Sequence, residues 1–518
     1  MPQSPQLDDV SAFSPSPRTT WWRQLSLPQL LTASGLSAIV VIGSVDAALR
    51  GPWLDEFWTL ELSDARNGLL ALIRDGWMHD THPPAFSAWA TLLASLGVSS
   101  IPAGRLASNL LAAGLMMLAG RRLSKRMPEQ AGYNMVLLLL TLSLPKAMEA
   151  FATYRSYFWQ MAAIGTLVLV ARYIAAARVD LDLHKDIDLA IIAMIATAAS
   201  IGLHYIGGLF GGLLSGVIAL SAYRRGLWRW TVLMLATAAL ATLWIIASVL
   251  LQAPNWAIDF DHSWIDLPGL KALSVPISLV IVAICHNPVP LAGLWFVQNR
   301  RGESDRRFIE IIGCVLIAGI AVILAVHAFR PIVVDRYLLA VPVLVCALTA
   351  VPAARFTQAH PLFGLLALVS VSVAVAAAPI VREGIKPFWR EDALTIANIA
   401  ADCPTTQVYA ASGWALGPAA ETRAAHREDP VFARAYRLLA DGYGYAVHFI
   451  GQDATANATP GSCPVLLWYE HTPNNAEDDL PAAVEEAGLT GLQRARLSVI
   501  RSATGFVVRA DRAASPTP

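Results

Sequence analysis

The stretch from 51 to 84, GPWLDEFWTLELSDARNGLLALIRDGWMHDTHPP, concentrates the residue types that do chemistry. It carries Asp55, Glu56, Glu61, Asp64, Asp75, His79, Asp80 and His82 among Trp53, Trp58 and Trp77. The whole chain is 55% hydrophobic and only 15% charged, against about 25% charged in soluble domains. Acids at this density beside an apolar segment are therefore out of keeping with their surroundings. Trp favours the membrane–water interface, where an apolar ring and a polar N–H are both satisfied. The stretch reads as a loop lying on a membrane face. Two acids and a His converging there can accept a proton, hold a metal ion or orient a hydroxyl. Asp55-Glu56 alone also reads as a helix start with an acidic first turn. The second motif, Asp80-Thr81-His82-Pro83-Pro84, favours chemistry, because acids embedded at a membrane are costly and usually functional.

Cations recur at the same expected depth. Arg155 and Tyr157 follow one apolar segment, in TYRSY. Arg336-Tyr337 opens another, with Arg330 and Asp335 beside it. Arg offers a planar fork to phosphate oxygens and Tyr adds a donor, so two Arg-Tyr pairs suit a lipid-linked phosphate. Interfacial anchoring by Arg and Tyr is the alternative reading. Arg105 begins a further segment and is placed to pair with an acid of the first loop. His204-Tyr205 ends another segment at matching depth. Trp58 and Trp77 could stack on sugar faces, although each alone reads more readily as a belt residue.

The elements that must position these residues are membrane helices. A crossing helix needs about 20 apolar residues. Candidate spans cover about 29–49, 104–120, 132–150, 158–176, 187–204, 207–223, 230–250, 270–297, 308–328, 337–353 and 361–380, about eleven in all. The run 83–98 opens on two prolines, is short and reads as a juxtamembrane or re-entrant helix. The basic clusters, Arg121 to Arg126, Arg172 to Lys185, Arg224 to Arg229, Arg300 to Arg307 and Arg355, all belong in the cytoplasm by the positive-inside rule. Eleven spans with a cytoplasmic tail over 1–28 satisfy every cluster. The first span is then retained, not removed as a signal peptide. The transmembrane part covers 29–380, the outer loop 50–103 is its catalytic loop, and 251–269 is a further outer loop. The site and the C-terminus then lie on the outer face; the expected location is the cytoplasmic (inner) membrane, with both on its periplasmic or extracellular side.

From about 381 to 518 charge rises and apolar runs shorten. TQVYAAS, CPVLLWYE and GFVVRA read as strands, while DALTIANIAAD, DPVFARAYRLLADG and DDLPAAVEEAGL read as helices. The fold class is thus mainly α, a polytopic membrane protein with a small C-terminal α/β domain outside. Cys403 and Cys463 each precede an expected strand. If those strands are parallel neighbours, an oxidising compartment favours a disulfide; two separate thiols are the alternative. The net charge is +0, and nothing points to nucleic acid.

Taken in order, Trp53-Leu54-Asp55-Glu56, Asp80-Thr81-His82-Pro83-Pro84-Ala85, Arg105, Arg121-Arg122-Leu123, Tyr154-Arg155-Ser156-Tyr157, His204-Tyr205, Asp335-Arg336-Tyr337 and Pro387-Phe388-Trp389-Arg390-Glu391-Asp392 resemble the C-type (GT-C) glycosyltransferases. Within them the pattern is similar to the protein-mannosyltransferase-like and aminoarabinose-transferase-like group. The resemblance covers roughly 30–395; Ala85 departs from it, where the group usually has Leu. It implies inverting transfer of a hexose or pentose from a polyprenyl-phosphate donor to a glycan, lipid or protein acceptor outside the membrane. It implies Asp55 as the base that takes the acceptor hydroxyl proton. Arg155, Tyr157, Arg336 and Tyr337 would bind the donor phosphate, with Arg105, His204 and Tyr205 as further candidates. Glu56, Asp80 and His82 would orient the acceptor or hold a divalent metal ion; members of the superfamily differ in metal use, so no cofactor is assigned.

A transporter or flippase of lipid-linked sugars is the rival reading. It needs broken helices and polar groups at mid-membrane, for which His286-Asn287-Pro288 is the one candidate. A ligase acting on whole glycans is a second rival, and would place its basic residues in a large late loop.

Overall fold

The structure, a computed structural model, describes residues 26–176, 186–259, 271–297, 303–412, 430–450, 461–470 and 496–512. The tail before Ser26, most of the expected outer loop at 251–269, and the helix expected over DDLPAAVEEAGL lie outside the described residues.

The first helices are α1 (Leu27–Leu49), α2 (Leu54–Glu61), a single turn α3 (Leu69–Ala71), α4 (Ala85–Ser95), α5 (Ile101–Arg126), α6 (Ala131–Ser143) and α7 (Pro145–Phe151). They are followed by α8 (Tyr157–Ala176), α9 (Ile187–Gly202), α10 (Tyr205–Arg224), α11 (Trp228–Asp259) and α12 (Lys271–Cys285). The membrane part closes with α13 (Val289–Val297), α14 (Glu303–Phe329), α15 (Ala340–Ala359) and α16 (Pro361–Glu383).

Among the described residues eight helices, α1, α5, α8, α10, α11, α14, α15 and α16, are long and apolar enough to cross a membrane. The other three expected spans are helical but not single long rods. Residues 132–150 form α6 and α7, bent by 68° at their junction. Pro145 has no N–H to donate, and it holds Leu144 extended at ψ 134°, out of the helical region. Residues 187–204 supply the 16-residue α9. Residues 270–297 break into α12 and α13 at His286-Asn287-Pro288. The run 83–98 contains only the 11-residue α4, too short to cross.

Burial sorts the bundle into centre and periphery. The α8 window is 94% buried and that of α15 78%, against 17% for α11 and 22% for α14. A helix apolar on every side belongs inside, and α8 is the central post of the molecule. The peripheral helices turn Val41, Leu243, Leu250, Ile317 and Phe363 outward, an apolar belt far larger than water tolerates.

The C-terminal part contains α17 (Trp389–Asp402), α18 (Pro430–Tyr443) and five strands: β1 (Gln407–Ser412), β2 (His448–Phe449), β3 (Val465–Glu470), β4 (Arg496–Arg501) and β5 (Gly505–Asp511). The sheet order is β2-β1-β3-β5-β4. β1 runs parallel to β2 and β3, while β5 runs antiparallel to β3 and β4. β3, VLLWYE, is buried along its whole length, Glu470 included, as befits an interior strand covered on both faces. Because β1 and β3 start side by side, Cys403 and Cys463 meet with Cα atoms 5.6 Å apart and are disulfide-bonded.

A seam joins this part to the first loop. Gly51 N donates to Lys386 O at 3.0 Å and Trp389 N to Pro52 O at 3.4 Å. A Cβ on Gly51 would lie 1.6 Å from Pro387 O, so only glycine fits. Trp389 packs against Phe57 of α2 at 5.1 Å and against Phe432 and Tyr436 of α18 at 5.5 and 5.4 Å. Arg434 of α18 reaches Glu61 at 2.7 Å and Asp64 at 3.0 Å.

Candidate active site

Helix α2 begins directly after the Gly51-Pro52 seam, so its first turn presents Asp55 and Glu56. These adjacent acids go to different places. Glu56 is fully buried. Its Oε1 accepts from Arg105 Nε at 2.6 Å and from Tyr154 N at 2.7 Å. Its Oε2 accepts from Arg105 Nη2 at 2.5 Å and from Trp53 N at 3.3 Å. Arg105 spends its other donors on the carbonyls of Ala47, Arg50 and Gly51, just beyond and within the last turn of α1. A buried ion pair is tolerable when every lone pair and proton is met, and here each Glu56 oxygen already accepts two bonds. Glu56 was expected beside an acceptor or metal; instead its oxygens are committed to the scaffold. Arg105 meets an acid of the first loop, as its position suggested, and its donors go to Glu56 and three backbone carbonyls.

Asp55 looks into a pocket. Tyr157 Oη donates to its Oδ2 across 3.5 Å, and Arg336 Nη1 lies 3.6 Å from the same oxygen. Both contacts are long, so the carboxylate is held loosely. The Arg336 guanidinium lies 5.1 Å from the Trp53 ring and 5.6 Å from that of Tyr337. Opposite, His82 Nδ1 sits 3.5 Å from Asp80 Oδ1 and 3.3 Å from Arg155 Nη2. Arg155 is 7% exposed and also reaches Thr59 Oγ1 at 3.4 Å. Four rings gather beside these groups. His204 stands 4.7 Å from Tyr337, 5.4 Å from His82 and 6.0 Å from Tyr157. The Arg-Tyr pairs at 155/157 and 336/337 therefore meet, with Tyr157 and Tyr337 6.5 Å apart.

Electrostatics fix the charge states. Burial alone would raise Asp80, but His82 and Arg155 hold its carboxyl below the usual range. Burial works against the Arg155 charge; Asp55, Tyr157 and Asp80 outweigh it, and the guanidinium titrates above its ordinary value. Arg336 is raised in the same way, against its burial, chiefly by Asp55. His204 is pushed well below its ordinary value by burial and by the nearby His82, Arg155 and Arg336. It is a neutral imidazole at pH 7. Its Nδ1 accepts from Gly207 N at 3.4 Å, so the proton rides on Nε2. Among the described residues no three His, Cys, Asp or Glu side chains converge to hold a metal ion.

Tyr205 stands one step behind. Its hydroxyl bonds Gln252 Oε1, and Gln252 Nε2 donates to Trp77 O at 2.7 Å and His82 O at 2.9 Å. Tyr205 thus anchors the Asp80–His82 segment. Trp77 is buried, its Nε1 donating to Leu62 O at 2.7 Å, and is packing, not a pocket wall.

No protein-family model matches the chain, and no curated protein matches its sequence significantly. Solved structures do. ArnT from Cupriavidus metallidurans in the apo state aligns over 93% of this chain and 98% of its own, with a TM-score of 0.54 and 15% identity. The chain has the ArnT fold. A second ArnT structure, bound to undecaprenyl phosphate, aligns over 93% of this chain and 97% of its own, with a TM-score of 0.48 and 16% identity. The fold implied by the sequence resemblance, that of the aminoarabinose-transferase-like C-type glycosyltransferases, is the one observed. Four residues in contact with the candidate site or its neighbours escaped the sequence reading: Thr59, Lys146, Gln160 and Gln252. Lys146 pairs with Asp335 at 2.5 Å. Gln160 lies fully buried against Gly207, with neither side-chain atom hydrogen-bonded. For Gln160 the available signal was a lone amide within an apolar helix, and for Gln252 an amide at the end of a long apolar run.

Proposed function

We propose that the chain is an integral-membrane glycosyltransferase. It moves a sugar from a polyprenyl-phosphate donor to an acceptor hydroxyl, with inversion. The observation that carries this reading is the Asp55 carboxylate set 3.6 Å from Arg336 and 3.5 Å from Tyr157 Oη, in a pocket that also holds Arg155. A base and two fixed cations then stand within one small volume. The ArnT fold supports the reading as architecture.

Asp55 takes the proton of the acceptor hydroxyl as its oxygen attacks the anomeric carbon. The bond from that carbon to the phosphate oxygen breaks, and the electron pair leaves with the lipid phosphate. An alcohol is a poor nucleophile until its proton is being removed. Arg336 and Arg155 meet the charge that grows on the phosphate, where low dielectric makes fixed cations effective. The contact between Asp55 and Arg336 is long enough for a phosphate to engage the guanidinium without displacing the carboxylate from its place. Tyr157, Tyr337 and the Nε2–H of neutral His204 add donors. Asp80 and His82 stand across the pocket, placed to orient the acceptor. The sugar is a hexose or a pentose, and the acceptor a glycan, lipid or protein outside the cytoplasmic membrane.

The transporter reading rested on His286-Asn287-Pro288. That break is internally satisfied: Asn287 Nδ2 donates to Ser372 Oγ at 3.1 Å, and His286 Nε2 lies 3.2 Å from Leu140 O. Its polar groups serve packing, which favours the enzyme.

Asp55→Asn in purified protein, reconstituted with a panel of polyprenyl-phosphate hexoses and pentoses, should lower turnover by about 10²–10⁴-fold. Donor binding should persist. Turnover near wild type would remove Asp55 from the mechanism.

A further inference from the structure

A second cationic centre lies at the far end of the central helix. Arg172 is fifteen residues beyond Tyr157 on α8, roughly 22 Å along its axis. It is 6% exposed. Its Nε donates to Gln130 Oε1 at 2.8 Å and its Nη2 to Asp305 Oδ1. Its guanidinium lies 5.0 Å from the Tyr133 ring and 5.2 Å from that of Phe308. Arg355 of α15 gives its own Nη2 to the other oxygen of the same carboxylate. Among the described residues two cations therefore share one anion, and this trio carries a net charge of +1. Nη1 of Arg172 and Nη1 of Arg355 are both buried and have no hydrogen-bond partner among the described residues. The rings stabilise the Arg172 charge but supply neither nitrogen with an acceptor.

Among the described residues, the acids at the start of α9 are already engaged. Asp186 is paired with Arg126 at 3.3 Å, and Asp188 with Arg122 at 3.4 Å. An excess buried cation with open N–H donors is expensive unless an anion meets it. The cluster is not sealed, since the Asp305 and Arg355 side chains keep 13% and 17% of their exposure. It lies at the end of α8 where a crossing helix meets the opposite interface.

We propose that Arg172 and Arg355 form a phosphate clamp at the face opposite the Asp55 pocket. The ligand is a phosphate group, either the head of an anionic phospholipid or the free ion. Guanidinium forks suit phosphate oxygens in pairs. Basic pockets between membrane helices are where lipid head groups dock. A neutral ligand would leave the charge standing, and a metal cation would be repelled. Asp305 spaces the two forks and sets the affinity by competing for them. The site is separate from the transfer reaction and stands whether or not that reading does.

The test uses full-length protein in a neutral detergent. Native mass spectrometry and thermal unfolding are followed with phosphatidylglycerol, with diacylglycerol as a phosphate-free lipid, and with inorganic phosphate. Phosphatidylglycerol should bind and raise the midpoint, and diacylglycerol should not. Arg355→Gln should weaken phosphatidylglycerol at least tenfold, and Asp305→Asn should tighten it, a pair of opposite effects that a purely structural role does not produce. An Arg355-dependent response to inorganic phosphate alone supports the clamp and assigns it to the free ion. Equal binding of the two lipids, or no Arg355-dependent response to any phosphate, overturns the proposal. Should Arg355→Gln fail to fold, unchanged or weaker binding by Asp305→Asn overturns it in the same way.

Discussion

Two neighbouring acids in one turn behave as different kinds of residue, and substitution should separate them. Glu56→Gln leaves Arg105 charged, buried and short of its partner. Breaking such a pair costs about 3–5 kcal/mol. We expect Glu56→Gln to lower the thermal midpoint sharply and to reduce the yield of folded protein, while Asp55→Asn folds like wild type. Equal stability of the two variants would contradict the division. Residue type could not have revealed it: in the sequence Asp55 and Glu56 are interchangeable acids, and only the register that brings Tyr154 N and Arg105 to Glu56 tells them apart. The cations were more legible, because Arg next to Tyr at a span end is rare enough to notice. Arg155 makes a fork that Lys cannot reproduce. Initial rates against donor and acceptor in turn should show Arg155→Lys impairing donor use more than acceptor use. Arg155→Ala should be worse still. Unchanged donor dependence in Arg155→Ala would make the residue an anchor only.

At the scale of elements, the joint between α17 and β3 carries its own titration. Asp392, at 0% exposure, accepts from Ser502 Oγ at 2.6 Å, and Glu470, equally buried, from Thr504 Oγ1 at 2.7 Å and Trp468 Nε1 at 3.0 Å. The two carboxyls face each other. Burial lifts Asp392 to about 6, and burial with the neighbouring acid lifts Glu470 well above its ordinary value. A proton held between them would give Asp392 Oδ1, otherwise without a partner among the described residues, a hydrogen bond. For acids raised in the folded state, stability is fully present below the ordinary carboxyl value of about 4. It is lost as pH climbs through about 6 and beyond. The thermal midpoint should therefore fall between pH 5 and 8, and Asp392→Asn should flatten that fall. An identical slope in the variant would discard the shared proton. Elements themselves were largely readable: helix occurs in all eleven expected spans. What local pattern missed was geometry, such as the bend at Pro145, and pairing. β4 begins and ends in Arg, and finds its place only because β5 lies beside it.

Over the whole molecule, the sequence supplied the order of the pieces but not their convergence. Nothing local says that Arg336 will stand 3.6 Å from Asp55, because that needs α15 and α2 to meet around α8. Sidedness is the remaining expectation at this scale. All the basic clusters fit one arrangement, with Lys125 in the cytoplasm and Asp441 outside. Single cysteines at these two exposed positions, treated with an impermeant thiol reagent in intact cells, should label at 441 and not at 125. The reverse would invert the topology. The seam at Gly51 and Lys386 has a bearing on how the protein is made. The loop carrying Asp55 leaves the ribosome early, yet the strand of chain that caps it, 386–389, is synthesised more than three hundred residues later. Until then the loop waits without its cover. A prematurely ended chain would hold many of the pocket's side chains and still be unfinished, so the last part of the polypeptide decides when the first outer loop becomes competent.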